Sequence, residues 1–427
     1  MGETRFAQLS DLHLGVRFTG GKLGMPAKCA EQRERELRAA LVLFVETAIE
    51  EKVNLVLIPG DIFDAETPSL SDVNFVIEQV NRLHPIPTFV TSGNHDPYSR
   101  MSIYNIESAL HCERRSSAPR WGDHVRIFSG REFMRVRLDG VGVTGCAFYE
   151  ETAANASGGQ ANASGGQADA SGGQADASLK AALDAVPPEP DVTNILMFHG
   201  ALTGFATANE PEVMPFTTED LAACGYDYAA IGHYHSPRLI ADSDGWVAGA
   251  YSGGPLALDL SDTGERGFII GALRVSDRRP FRPAAEDIRF VKSDPRQIRH
   301  VSLDITNCAG KHALEALVTN ALQDVPSQDI VYLRLAGRYP PGMPPQVSPS
   351  LFDGRFHVRC EDASEADYDL PFGQAEAVSL RHDVRSLFLR RLRERWEQAS
   401  SLEEKKLIEE AAVYGLDALT QGKVSLR

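Results

Sequence analysis

Five short clusters of carboxylate, imidazole and amide side chains occur in order along the chain: Asp11-Leu-His13, Gly60-Asp61-Ile-Phe-Asp64, Gly93-Asn94-His95-Asp96, His199-Gly200 and Gly232-His233-Tyr-His235. Each follows an apolar run, and in open α/β sheets the strand ends are the edge where ligands bind. Alone, each cluster is weak, because a lone histidine is more often a satisfied structural residue than a ligand. Together they mix carboxylates, imidazoles and one amide as Mn, Fe or Zn sites do, and they hold five of the twelve histidines. Phosphoryl chemistry needs that mixture. Two cations roughly 3.5 to 4 Å apart can hold the attacking and leaving oxygens of a phosphate and lower the pKa of a bound water. The cations repel each other, so a carboxylate shared between them is favourable, while neutral His and Asn ligands preserve Lewis acidity. Gly60, Gly93, Gly200 and Gly232 permit tight turns beside these groups, although each alone also reads as an ordinary loop glycine.

The elements that must position the clusters are legible as periodic patterns. From the N-terminus to about Arg274, β-type runs alternate with amphipathic helical stretches, the signature of a layered α/β architecture with a mixed or parallel sheet. The runs are Arg5–Leu9, Val53–Ile58, Thr88–Thr91, Val141–Phe148, Ile195–Phe198 and Tyr228–Ile231. Between the first two, Leu37, Leu41, Phe44, Val45 and Ala48 recur at helical spacing, with Arg33, Glu34, Arg38 and Glu46 on other faces. From Asn155 the chain reads NASGGQA, NASGGQA, DASGGQA and DAS, which offers no apolar area to offset ordering entropy. Thr152 to Ser178 is therefore expected to be a disordered insertion, extended by Pro187 to Pro190 to a linker of about 152–190, looping outward before the strand that carries His199.

After Arg274, Pro280, Pro283 and Pro295 break the chain. Val301–Ile305 and Ile330–Leu335 then read as strands around a helix at Lys311–Leu322, a small α+β domain followed by a proline-rich loop at Pro340–Pro349. Two final helices carry apolar stripes, Val384, Leu387, Phe388, Leu392 and Trp396 on one, Ile408, Ala412, Leu416 and Leu419 on the other, with a capping box at Ser401 and Glu404. Such a hairpin either completes its own core or presents its face to a partner.

With 427 residues, 43% hydrophobic and 24% charged, the chain can bury two or three domain cores. No segment approaches the roughly 20 apolar residues that cross a bilayer, so a cytoplasmic location without membrane attachment is expected. Cys29, Cys112, Cys146, Cys224, Cys308 and Cys360 stand singly, a spacing that suits reduced structural thiols rather than a zinc site or a disulfide framework. The net charge of -16 opposes nucleic-acid binding unless basic patches offset it. The candidates are Arg114, Arg115 and Arg120; Arg278, Arg279 and Arg282; and Arg390, Arg391, Arg393 and Arg395, each of which reads equally as a solvated face.

The motifs D-x-H, G-D-x-x-D, G-N-H-D, H and G-H-x-H together resemble the signature of calcineurin-like metallophosphoesterases. That resemblance implies a layered fold of β-sheets flanked by helices and a pair of divalent ions, expected to be Mn2+. It implies that Asp11, His13, Asp61 and His235 bind one metal, with Asp61 bridging to a second held by Asn94, His199 and His233. It gives His95 contact with the phosphate and protonation of the leaving oxygen, with Asp96 as its orienting partner. Asp64 reads either as support for the ligands or as a loop cap.

A narrower similarity, to SbcD-like DNA repair exonucleases, rests on RFAQLSDLHLG, LVLIPGDIFD, TSGNHDP, GYDYAAIGHYHSP and YSGGPLALDL. It implies a metal-dependent DNA exonuclease whose partner is an SbcC-like, SMC-type coiled-coil ATPase, and it admits a homodimer. The expected organisation is a nuclease domain at 1–275, a cap domain that helps choose DNA substrates at 276–365 and a helical partner-binding region at 366–427. The heptapeptide insertion and the acidic balance depart from that family. The alternatives are a phosphodiesterase or phosphatase acting on small nucleotides or other phosphoesters, and a non-catalytic scaffold on the same fold. The regions beyond Arg274 argue against the first, and the intact ligand set argues against the second. No G-x-x-x-x-G-K-[ST] phosphate loop occurs in the chain.

Overall fold

A computed structural model describes residues 3–20, 23–65, 68–99, 102–105, 120–149, 179–205, 213–274, 280–306, 308–341, 343–368, 370, 372 and 383–421. The heptapeptide repeat and the arginines at 114, 115, 278 and 279 lie outside them.

In the first compact unit, Met1–Gln297, the strands in chain order are β1 (Glu3–Gln8), β2 (Leu55–Pro59), β3 (Thr88–Thr91), β4 (Val125–Ile127), β5 (Met134–Leu138), β6 (Val141–Gly145), β7 (Thr193–His199), β8 (Tyr228–Gly232), β9 (Arg238–Ala241), β10 (Val247–Tyr251), β11 (Gly267–Arg274) and β12 (Ile288–Lys292). They form two six-stranded sheets, ordered β12-β11-β1-β2-β3-β4 and β5-β6-β7-β8-β10-β9. Strands β1 to β4 run parallel, as do β6, β7, β8 and β10. Strands buried on both faces need near-continuous apolar sequence, which is why LVLIP and TNILMFH read as unbroken runs. Their side chains alternate between two cores. Phe6, Leu55, Leu57 and Phe89 meet Ile195, Met197 and Tyr228 between the sheets, while Val56, Ile58, Leu196 and Phe198 point outward.

Helices α1 (Ala27–Glu50) and α2 (Leu70–Asn81) cover the outer face of the first sheet, through Leu37, Leu41, Phe44, Val76 and Ile77. On the outer face of the second sheet lie α3 (Leu179–Leu183) and α4 (Thr218–Ala223), so the unit is a four-layer α/β/β/α sandwich. The expected linker therefore ends earlier than residue 190. Leu179 and Leu183 are buried in the core, and Glu189 is anchored by Arg135 Nη1 at 2.9 Å and by Arg137 Nε at 2.9 Å. The expected boundary at 275 also moves, to 297, because β12 pairs with β11 and completes the first sheet.

Arg33 departs from its expected outward face on α1. It is fully buried, donating to both carboxylate oxygens of Asp294 at 2.8 and 2.9 Å, to Glu36 at 2.9 Å and to the Ala257 carbonyl at 3.0 Å. Arg296 closes the same network on Glu36 at 2.6 Å.

The second unit, Ile298–Arg427, has a parallel sheet of β13 (Ile298–Asp304), β14 (Ile330–Ala336) and β16 (His357–Asp362), with α5 (Lys311–Leu322) crossing between the first two. The short strands β15 (Arg338–Tyr339) and β17 (Glu365–Ala366) pair separately. The terminal helices α6 (Val384–Gln398) and α7 (Leu402–Gln421) share this unit's core, since Leu416, Phe388, Leu389 and Val413 pack with Val318, Leu333 and Leu335. The expected region at 366–427 falls in the same compact unit as the α+β domain. Gly415 lets the two helices close, because a Cβ there would stand 2.0 Å from the Phe388 ring. Ser401 caps α7 at the Glu404 N–H, and the Glu404 carboxylate accepts from the Ser400 N–H rather than from Ser401 itself. Val384, Leu387, Leu402 and Leu407 remain exposed.

Of the described candidate basic patches, Arg282 pairs with Asp242, while Arg391 and Arg393 pair with Glu394 and Glu397. Among the described residues no helix is long and apolar enough to cross a membrane.

Removing one member of a buried, hydrogen-bonded ion pair strands the other charge, at a cost of about 3–5 kcal/mol. Asp294→Ala is expected to lower the unfolding free energy of the first unit by that amount in urea titration; a change below about 1 kcal/mol would show that Arg33 is not held by this network.

Candidate metal centre

The clusters converge because parallel strands of both sheets deliver their C-terminal ends to one place. Asp11 and His13 follow β1, Asp61 and Asp64 follow β2, Asn94 and His95 follow β3, His199 ends β7, and His233 and His235 follow β8. Convergence forces the backbone. Asp11 (φ 53°), His13 (φ 48°), Asp61 (φ 53°) and His233 (φ 117°) lie in the left-handed region, where each non-glycine residue costs about 1–3 kcal/mol. The Asp11 and His13 N–H groups donate to the Gly60 and Asp61 carbonyls at 3.2 and 3.0 Å, tying the first two loops together. Gly93 and Gly232 meet a different need, close approach: a Cβ would sit 2.1 Å from Asp61 Oδ1 at the first and 1.9 Å from the Pro59 carbonyl oxygen at the second.

Asp61 Oδ2 lies 3.6 Å from His13 Nε2 and 3.4 Å from His199 Nε2. On the first side, His13 Nε2 stands 3.1 Å from His235 Nε2, and the ligating atoms of Asp11, His13 and His235 fall within 4.8 Å of one another. On the second, Asn94 Oδ1 is 3.0 Å from His199 Nε2 and 3.2 Å from His233 Nδ1, and Asp11, Asp61 and His199 form another close group. All seven expected ligands are thus brought together, in two donor sets that meet at Asp61. The imidazoles are held from behind: His199 Nδ1–H donates to the Pro59 carbonyl at 3.0 Å, which leaves Nε2 as the lone-pair nitrogen.

The electrostatics call for positive charge. Asp11 and Asp61 are buried, and burial raises the Asp11 carboxyl above its ordinary range despite the nearby His199 and His235. Burial alone would lower His199 and His235, but neighbouring carboxylates win: Asp61 and Asp11 push His199 up to about 9, and Asp262 with Asp11 pushes His235 up to about 9. His233 goes the other way, down to about 3, through burial and the adjacent His199. Two imidazole nitrogens face to face beside a shared buried carboxylate fit divalent cations, which supply the positive charge that protons would otherwise have to bring.

His95 stands at the mouth, its side chain 45% exposed, with Nδ1 3.5 Å from Asp64 Oδ1. Hydrogen bonding to Asp64 is the main cause of its raised pKa, so His95 keeps a proton more readily than an ordinary histidine. Asp64 also lies 3.2 Å from His13 Nδ1. The expected pairing of Asp96 with His95 is corrected by this geometry. Asp96 is buried and turns inward, accepting from the N–H groups of Asp61 at 3.2 Å, Ile62 at 2.7 Å, Phe63 at 3.1 Å and Gly93 at 2.7 Å, and from the Tyr104 hydroxyl. It pins the loop that carries Asp61, and Asp64 is the carboxylate beside His95.

Two further residues belong to none of the five clusters, and sequence reasoning misses them. Asp262 Oδ2 lies 3.5 Å from His235 Nδ1 and accepts from the Leu258 and Asp259 N–H groups at 2.9 and 3.1 Å. Arg266, fully buried, pairs with Asp262 and donates to the His235 carbonyl, so one ion pair holds His235 at both ring and backbone.

Residues 4–237 match the calcineurin-like phosphoesterase family, a span that includes all five clusters and more than half of the chain. The chain belongs to this family. It is 26% identical over 325 residues to the Bacillus subtilis (strain 168) protein named uncharacterized metallophosphoesterase YhaO, an alignment covering 73% of this chain and 66% of that relative. The chain thus spans just under two thirds of that relative's length. TT1561 of Thermus thermophilus is similar at 15% identity and a TM-score of 0.34, over 63% of this chain and 94% of the other. GAP50, the anchor in the inner membrane complex of Plasmodium, is similar at 14% identity and a TM-score of 0.36, over 68% and 85%.

Carboxylates that orient metal-binding histidines are typically worth 10–100-fold in metal affinity. Asp262→Ala is accordingly expected to weaken metal binding about 10–100-fold in competition with a chromophoric chelator. Wild-type affinity in that variant would show that His235 needs no support from Asp262.

Proposed function

We propose that this phosphoesterase hydrolyses the phosphodiester bonds of DNA from strand ends, as the nuclease subunit of a repair complex with an SMC-type coiled-coil ATPase. The observation that carries the hydrolytic reading is the position of Asp61 Oδ2, 3.6 Å from one donor set and 3.4 Å from the other. Asp11, His13, Asp61 and His235 hold one cation in this proposal, and Asp61, Asn94, His199 and His233 hold the second. When bound, the cations, Mn2+ in this proposal, supply Lewis acidity toward the phosphate and lower the pKa of the attacking water.

The remaining steps belong to the protein. Asp64 holds His95 at Nδ1 and favours its protonated form, which leaves Nε2 to face the substrate and donate a proton to the departing O3′. Asp96 keeps Asp61 in its left-handed conformation and so acts one step removed from the substrate.

Support for DNA as substrate comes from the SbcD-like segments of the sequence and from the α+β unit joined to the phosphoesterase unit. Support for a helical partner comes from the terminal hairpin, which turns one face to its own core and leaves Val384, Leu387, Leu402 and Leu407 in water. One observation favours the second reading, a small phosphodiester as substrate. The net charge is -16, and Arg282, Arg391 and Arg393 are engaged with carboxylates.

The metal-stripped protein, reconstituted with Mn2+ or Mg2+, is expected to cut linear double-stranded or single-stranded DNA; activity on a generic phosphodiester alone would select the second reading. Asp61→Ala and His235→Ala should lose bound metal and turnover together. His95→Ala should retain metal while turnover falls about 10²–10⁴-fold, and full activity there would remove His95 from the mechanism. Replacing both Leu402 and Leu407 by Glu should leave metal content intact and abolish co-purification with the coiled-coil ATPase. An unchanged complex would place that interface elsewhere.

A further inference from the structure

The loops that deliver His199 and His235 also bring together Phe205 and Arg238, which have no part in the metal centre. Phe205 is 39% exposed. Its ring meets Tyr234 edge-on at 4.9 Å between centroids, and Tyr234 in turn lies 5.0 Å from the ring of His233, so one aromatic ring separates Phe205 from the metal centre. The Arg238 guanidinium lies over the Phe205 ring, 4.1 Å from its centroid. Arg238 is exposed, and among the described residues no carboxylate forms an ion pair with it.

Arg33, Arg266 and Arg282 in the same unit are each held by a carboxylate, as the acidity of the chain leads one to expect. An uncommitted cation stacked on an exposed ring, next to a centre that handles phosphate, combines the two features by which proteins hold single nucleic-acid strands, positive charge for the backbone and a flat surface for the bases. Packing of Phe205 into the protein interior does not require the guanidinium, and a solvated surface arginine does not require the ring.

We infer that Arg238 and Phe205 form a stacking seat for the nucleobase adjacent to the phosphodiester being cut, an inference that rests on the nuclease reading and adds a contact for the base. The seat tolerates any base, because stacking uses the π-face that all of them share. It gives the enzyme a preference for polynucleotide over a bare phosphodiester chain, which the metal centre alone does not supply.

The test compares KM for oligothymidylate with KM for an abasic phosphodiester chain of equal length, using the full-length, Mn2+-loaded protein. Wild type is expected to favour oligothymidylate, and Phe205→Ala and Arg238→Ala should each shrink that preference about tenfold, in line with the usual contribution of one stacked base. Phe205→Trp, which keeps a flat aromatic surface, should restore it. An undiminished preference in both alanine variants overturns the seat and leaves the nuclease reading standing. Cleavage of methyl p-nitrophenyl phosphate by the wild type, with neither polymer cut, overturns the nuclease reading and the seat with it.

Discussion

Two cations can sit side by side inside a protein only where negative charge lies between them, and the carboxylate placed to supply it here is Asp61. Asp61 is buried, and its Oδ2 stands within 3.6 Å of imidazole nitrogens from two different sheets. Burying a carboxylate is expensive unless opposite charge meets it. Much of the surrounding structure serves that one placement. Parallel strands of both sheets end at the same level, Gly93 leaves room against Asp61 Oδ1, and Asp96 receives the N–H groups of the loop that presents it.

The strain is concentrated in the same place. Asp11, His13, Asp61 and His233 all adopt backbone conformations that glycine would take more easily, yet glycine cannot ligate a cation. The side chain is needed, so the neighbours hold the backbone instead. The paired loops after β1 and β2 hold Asp11 and His13, the inward-facing Asp96 accepts from the Asp61 N–H, and the Asp11 carboxylate accepts from the His233 N–H. A site of this kind trades local stability for fixed geometry, and the three apolar cores of the sandwich and the buried Arg33–Asp294 network supply the difference elsewhere.

Much of this is legible in the chain. Strands β2, β3, β7 and β8 read plainly because burial on both faces demands continuous apolar sequence, and the five clusters stand directly after such runs. Edge and short strands read less well: MRVRL in β5 shows the apolar/charged alternation of a half-buried strand over only five positions, and IRFVK in β12 breaks that alternation. Helical periodicity puts Arg33 on an outward face because it knows nothing of Asp294, the partner from beyond β12. Chain adjacency likewise suggests Asp96 as the companion of His95, whereas neighbouring side chains on a tight turn diverge, and Asp64 from another loop fills that place. The same lack of long-range information hides Asp262 and Arg266, and hides the shared core that joins the terminal helices to the α+β unit.

The claim that two cations share Asp61 is tested most directly by electron paramagnetic resonance of the Mn2+-loaded protein. A pair bridged by one carboxylate should give the spin-coupled spectrum of a dinuclear centre, and Asp61→Asn should abolish the coupling. A fully loaded wild-type protein that shows only the hyperfine pattern of isolated Mn2+ ions would contradict the account.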